Sequence, residues 1–249
     1  MRVDLLLLSP VIVVQALWVA ARAARLPEAA GDRQGTAGEG RDFRLLIIGD
    51  SSAAGVGVAD QDQALAGQLC AELARQVRVS WRLIARSGAT TASTLATLED
   101  VAPEKTDLVV LALGVNDTKN GVSLRAWEAR YTTLLDQIAE MYAPARVCVS
   151  GVPPLGDFPI LPWPLRDVLG RRAALFDACL RQLCAERKET RYVPMQFDMD
   201  PSHMASDGFH PGAAVYREWA ERIAELLRQE CGKISPFGCG RFGRFRGLL

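Results

Sequence analysis

The sequence predicts an α/β protein: a three-layer α/β/α sandwich around a mostly parallel, five-stranded sheet. Two observations predict it. Short, continuous apolar runs such as Phe43–Ile48 and Asp107–Leu113 have the composition of strands buried on both faces. Between them lie longer segments whose apolar residues recur at helical spacing, and strand–helix alternation of this kind builds a parallel sheet with helices on both sides.

In order along the chain, Phe43–Ile48 predicts the first strand and Ala64–Gln76 the first helix of the sandwich, with Leu65, Leu69 and Leu73 on one face. Arg78–Ile84 reads as the second strand, and Thr91–Leu98 as a helix with Leu95 and Leu98 together. Asp107–Leu113 (DLVVLAL) is the most apolar strand candidate. Leu124–Tyr142 is a long amphipathic helix. Arg146–Ser150 is a fourth strand, Leu165–Arg187 a helix, Arg191–Pro194 a short edge strand and Ala213–Gln229 the last helix.

The ends read differently. Residues 1–25 hold an apolar run from Leu5 to Ala21, broken only by Ser9, Pro10 and Gln15. Its 17 residues sit at the short limit for a membrane span and are slightly long for a signal-peptide core. We read it as a signal or membrane-anchor segment, the alternative being a first helix of the fold. Arg22 and Arg25 after the run nearly balance Arg2 and the amino terminus before it, so charge does not choose a membrane side. An exported or membrane-associated protein is expected, periplasmic or otherwise extracytoplasmic in a bacterium, a cytoplasmic-facing orientation being the alternative. Residues 26–41, with Gly31, Gly35, Gly38 and Gly40 among charged side chains, read as a solvated linker. Residues 42–230 form the folded domain, a comfortable size for one sheet. Residues 231–249 form a Gly-, Arg- and Phe-rich tail with Lys233, Arg241, Arg244 and Arg246 and no acid.

Composition narrows the function. Lys plus Arg and Asp plus Glu both number 29 in the 249 residues, and a nucleic-acid binder would show a basic excess. No CxxC pair or His/Cys cluster supports a metal or redox centre, and no cofactor is expected. Cys70, Cys148, Cys179 and Cys184 fall in apolar-periodic segments and read as small buried hydrophobes. Cys231 and Cys239 could pair in an oxidising compartment. Only two histidines, His203 and His210, are available as a general base.

Ligands of open parallel sheets bind at the carboxyl ends of the strands, so the loops there carry the chemistry. After the first strand comes Gly49-Asp50-Ser51-Ser52, which places a serine at a tight turn. It lacks the second glycine of G-x-S-x-G and the Gly-Lys-Ser/Thr of a phosphate loop. A helix-capping turn would look the same. Gly88, after the second strand, could bring a backbone N–H close to a ligand. Gly114-Val115-Asn116-Asp117 follows the third strand, and the Asn116 amide could donate to a developing oxyanion or simply make a turn. Asp207-Gly208-Phe209-His210 precedes the last helix, and an aspartate three residues from a histidine can hold one imidazole nitrogen while the other meets a serine. His203, in a polar loop, reads as a solvated residue.

Taken in this order, Gly-Asp-Ser, a glycine, Gly-x-Asn-Asp and Asp-x-x-His resemble the four blocks of the SGNH/GDSL hydrolase family, over residues 43–229. Ser52 stands where the family's nickname has leucine. The resemblance implies a flavodoxin-like fold and a carboxylic ester hydrolase. It assigns Ser51 as nucleophile, His210 as base, and Asp207 as the group orienting His210. The oxyanion hole would be the Ser51 and Gly88 N–H groups and the Asn116 side chain.

Residues 151–164 place five prolines among Val, Leu, Phe, Ile and Trp. Such a stiff apolar loop would either wall an acyl-chain pocket or pack on the core by its own side chains. The expected partner is a small-molecule or lipid ester such as a lysophospholipid, with membrane association through the N-terminal segment, no nucleic acid, and a monomeric enzyme. A thioesterase, a polysaccharide or cell-wall O-acetyl esterase, and a non-catalytic membrane-tethered binding protein are the alternatives.

Overall fold

A computed structural model describes residues 8–22, 26–197 and 200–231. Helix α1 (Ser9–Arg22) is followed by strands β1 (Gln34–Ala37) and β2 (Asp42–Gly49), helix α2 (Leu65–Leu73), β3 (Arg78–Ala85) and α3 (Thr91–Glu99). Then come β4 (Leu108–Ala112), a short α4 (Val115–Lys119), α5 (Leu124–Tyr142), β5 (Arg146–Ser150), α6 (Leu165–Ala185), β6 (Thr190–Val193) and α7 (Ala213–Cys231).

The sheet order is β1-β3-β2-β4-β5-β6. The five strands from β2 to β6 are parallel, in the flavodoxin-like order, and β1 alone is antiparallel, on β3. β4 is apolar and buried at every residue, and so is β2 from Leu45 to Gly49, because both faces are covered there. Leu45, Ile47 and Val110 point into a core shared with α2 and α7. Leu46, Ile48, Val109 and Leu111 point into the opposite core, with Trp127, Tyr131, Leu134 and Ile138 of α5 and Phe176 and Leu180 of α6.

Three findings amend the sequence reading. The sheet has six strands, not five. The extra strand, β1, lies inside the stretch expected to be a solvated linker, where it pairs Gln34 to Arg82 through Ala37 to Val79. Residues 26–41 are therefore partly built into the domain. Ala29 is buried, and the buried Gln61 amide donates to the carbonyls of Ala29 and Ala54. Finally, residues 9–22 of the apolar leader form a helix that lies on the domain: Ile12 and Val19 pack against the α5/α6 core, and Gln15 bonds the backbone of Trp163 and Leu165. Among the described residues no helix is long and apolar enough to cross a membrane.

Cys70, Cys148 and Cys184 are buried and Cys179 half-buried, and none forms a disulfide among the described residues. The Cys231 side chain, Cys239 and the basic tail lie outside the described residues.

Candidate active site

β2 and β4 are the strands where the direction of winding reverses, and the crevice at their carboxyl ends is the natural ligand site of such a sheet. Gly49 ends β2. A Cβ there would lie 2.5 Å from the Ala53 Cβ and 2.7 Å from the Ala112 carbonyl oxygen, so no larger residue lets the chain turn this sharply beside β4. Asp50 N–H then donates to Ala112 O, Ala54 N–H to Asp50 O, and Ser52 N–H to the Asp50 carboxylate. This closed turn holds Ser51 at the rim of the sheet.

From the other end of the chain, Asp207–His210 reaches the same place. His210 Nε2 lies 2.9 Å from Ser51 Oγ, and His210 Nδ1 lies 2.5 Å from Asp207 Oδ2. The other Asp207 oxygen accepts the N–H groups of Phe209 and His210, each at 2.9 Å. Gly208 makes this possible, its φ of +64° carrying the chain back over the carboxylate. Burial works to raise the Asp207 carboxyl, but the bonds from the His210 ring and the two backbone N–H groups together hold it below the ordinary carboxylate range. An ionised Asp207 keeps the imidazole proton on Nδ1, which leaves the Nε2 lone pair facing the Ser51 hydroxyl.

Asn116 stands in the first turn of α4. Its Nδ2 donates to Ala89 O at 2.9 Å and makes a long 3.4 Å contact with Asp50 Oδ2, so its second hydrogen is weakly engaged. Neither the Ser51 N–H nor the Gly88 N–H has an acceptor among the described residues. Three donors are thus available at the carboxyl edge of the sheet that carries the serine. Asp117, fully buried, accepts from the Thr91 N–H and hydroxyl and so ties the loop after β4 to the loop carrying Gly88. Burial pushes its carboxyl up, against these bonds.

Of the five residues assigned from the sequence, Ser51, Gly88, Asp207 and His210 fall in loops at this edge of the sheet and Asn116 in the short helix α4 beside them. His203 lies in a short 3₁₀ turn, Pro201–His203, half-buried. The sequence reading missed most of the walls of the site. A narrow cleft opens beside Ser51, lined by Ser150, whose hydroxyl accepts from the Trp219 indole, and by Leu113, Met195, Met204 and Phe209. Leu113 follows β4, Met195 follows β6, Met204 follows the 3₁₀ turn and Phe209 lies in the loop before α7, and no local pattern joins them. Of the loop expected to wall a pocket, Pro153 and Phe158 do line this cleft, whereas Leu155 and Leu161 pack into the core. Both readings of that loop apply, to different side chains.

The arrangement is an acid–base–hydroxyl relay beside an apolar cleft, with backbone and amide donors at its edge: a serine-hydrolase site on a flavodoxin-like sheet. The profile of the GDSL-like lipase/acylhydrolase family matches residues 47–218, and the chain belongs to that family, a family of carboxylic ester hydrolases. No curated protein matches the chain. Among solved structures it is similar to TesA (24% identity, 75% of this chain and 98% of that one, TM-score 0.58). It is similar also to the psychrotrophic esterase EstA from Pseudoalteromonas sp. inhibited by monoethylphosphonate (19%, 77% and 100%, TM-score 0.58) and to a family 3 carbohydrate esterase from Clostridium thermocellum (17%, 78% and 100%, TM-score 0.58). At these identities the likenesses speak to the fold.

Proposed function

We propose that the enzyme hydrolyses esters with an apolar acyl chain, lipid esters or lysophospholipids among them, through an acyl-serine intermediate. The observation that carries this reading is the unbroken series Asp207–His210–Ser51 opening onto an apolar cleft. His210 Nε2 takes the Ser51 proton as Oγ bonds the ester carbon. The oxygen that becomes negative is met by the Ser51 and Gly88 N–H groups and the Asn116 amide. As the tetrahedral carbon collapses, the ester C–O bond breaks and His210 returns the proton to the leaving alkoxide. A water then repeats the sequence on the acyl-serine, giving its proton to His210 and releasing the acid and Ser51.

The apolar character of the cleft favours a hydrocarbon acyl group over acetyl-sugar chemistry. Leu113, Met195, Met204, Phe158 and Phe209 offer contact area but almost no hydrogen bonds to a carbohydrate. A fluorophosphonate probe is expected to label native protein and not the Ser51→Ala variant, whose fold should be unchanged and whose p-nitrophenyl ester hydrolysis should vanish. Octanoyl esters are expected to outperform acetyl esters in kcat/KM. Full activity in Ser51→Ala would remove the mechanism, and a strong preference for acetyl would remove the substrate class.

A further inference from the structure

A helix lying on a protein surface normally buries an apolar stripe and turns polar residues outward. Helix α1 turns its one polar side chain inward and most of its apolar ones outward. At 3.6 residues per turn, Ile12, Gln15 and Val19 share one side, and these are the half-buried residues that meet the domain. Gln15, the only polar side chain from Pro10 to Ala21, is on that inner side. Its Nε2 donates to Trp163 O at 2.6 Å and its Oε1 accepts from Leu165 N–H at 3.1 Å. The outer side carries Val13, Val14 and Leu17, with Val11 and Trp18 at its borders, and Val14 and Leu17 are 65% and 67% exposed.

The pattern is not scattered over the molecule. Among the described residues the exposed large hydrophobics are five side chains of α1, Trp163 and Leu175. Trp163, 59% exposed, is the residue whose carbonyl Gln15 grips, and Leu175 is on α6, the helix against which α1 packs. A face this apolar needs an apolar surrounding.

Its surroundings indicate what kind. Among the described residues the helix spans 14 residues, about 21 Å against the roughly 30 Å of bilayer hydrocarbon, and its inner side is held on the domain, so it suits lying along a membrane rather than crossing it. Half-exposed Trp18 and Trp163 are the side chain preferred at the boundary of hydrocarbon and water. No acid occurs from Leu5 to Pro27, while Arg22 and Arg25 follow the apolar run and exposed Arg166 follows Trp163 by three residues. That charge sign complements anionic headgroups.

We propose that the outer face of α1 together with Trp163 is an interfacial docking surface that lays the enzyme flat on a lipid bilayer. The loop gripped by Gln15 then connects the membrane to the active site. It runs from Trp163 back to Phe158, which lines the cleft and packs edge-on against Phe209 beside His210. This surface is independent of the chain-length preference proposed above, because it is read by binding rather than by turnover.

The test uses the full chain and sucrose-loaded vesicles of phosphatidylcholine with and without phosphatidylglycerol. Native protein is expected to sediment with both and more strongly with the anionic mixture. Val14→Asp combined with Leu17→Asp is expected to lower the bound fraction at least about tenfold, the effect of moving even one such side chain from an apolar phase to water. Hydrolysis of a short water-soluble ester by that variant should stay native, which reports its fold. A milder pair, Trp18→Phe and Trp163→Phe, should lose most of the fluorescence quenching that native protein shows on vesicles with brominated acyl chains. Absence of native sedimentation, unchanged sedimentation of the double aspartate variant, or unchanged quenching would each overturn the proposal. So would a native dimer that the aspartates split without any vesicle binding, since the face would then belong to a second copy.

Discussion

The chain contains Asp-x-x-His twice, at Asp200–His203 and at Asp207–His210, with only Met204, Ala205 and Ser206 between them. The two copies have opposite fates. In the first, Pro201 starts a 3₁₀ turn, and exposed Asp200 spends its carboxylate on the backbone N–H and hydroxyl of Ser202 at 2.8 and 2.6 Å. Those bonds hold its carboxyl below the ordinary value. In the second, Gly208 turns the chain the other way, and the carboxylate, 1% exposed, takes three N–H groups, one of them from the imidazole. Spacing alone therefore does not make a relay. Burial and the left-handed glycine do, together with a serine in reach of the far nitrogen.

The largest effect that would break this contrast is at the carboxylates themselves. Asp207→Asn keeps the volume but accepts poorly from Nδ1–H and invites the wrong imidazole tautomer, with kcat expected to fall by about 10³- to 10⁴-fold. Asp200→Asn, measured on the same p-nitrophenyl ester, should leave kcat near native. Equal losses would mean that the two stretches act together.

Asp50 sharpens the comparison from another side. It is as deeply buried as Asp207 but receives only the Ser52 N–H and the long Asn116 contact. Here burial wins. It pushes the carboxyl up to about 6, against the Ser52 bond and the nearby Lys119 and His210. The folded protein thus holds this proton more tightly than the unfolded chain, whose ordinary value is 3.8. The stability so gained is complete below about pH 4 and lost as pH rises through 6. Asp50→Asn, which never ionises, is expected to gain on native protein as pH rises across that window, by up to about 3 kcal/mol. Urea midpoints at a series of pH values would show it, and a gap between the two proteins that ignores pH would contradict it.

Asn116→Ala is expected to cost on the order of a hundredfold in kcat with KM little changed, if its second amide hydrogen meets the oxyanion. A rise in KM alone would assign Asn116 to substrate binding instead.

The same contrast explains what the sequence could and could not reveal. The parallel strands were legible because burial on both faces leaves an unbroken apolar run, and Leu124–Tyr142 and Arg146–Ser150 were read to the residue. Strand β1 was not. Gln-Gly-Thr-Ala lies at an edge, is mostly exposed, and is held by backbone pairing to β3, with Gly35 leaving room for the Trp81 indole. Such a strand has no hydrophobic period to detect. Helix α4, at five residues, is too short to show one. The site loops were legible as four ordered blocks, yet the cleft walls come from segments far apart in the chain, and only the folded sheet gathers Met195, Met204 and Trp219 around Ser51.

His203 provides the smallest and most discriminating effect. Its main chain ties the turn together: its N–H donates to Asp200 O and its carbonyl accepts from Gly212 N–H, both at 2.9 Å, which secures the turn leading into α7. Alanine preserves both bonds. His203→Ala is therefore expected to keep kcat/KM within about twofold of native, because the ring between Asp207 and Ser51 is untouched. His210→Ala, which removes the ring between Asp207 and Ser51, should be inactive on the same ester. If His203→Ala were the inactive one, the base would have to be reassigned. The 2.9 Å approach of His210 Nε2 to Ser51 Oγ would then describe a resting contact rather than the path of the proton.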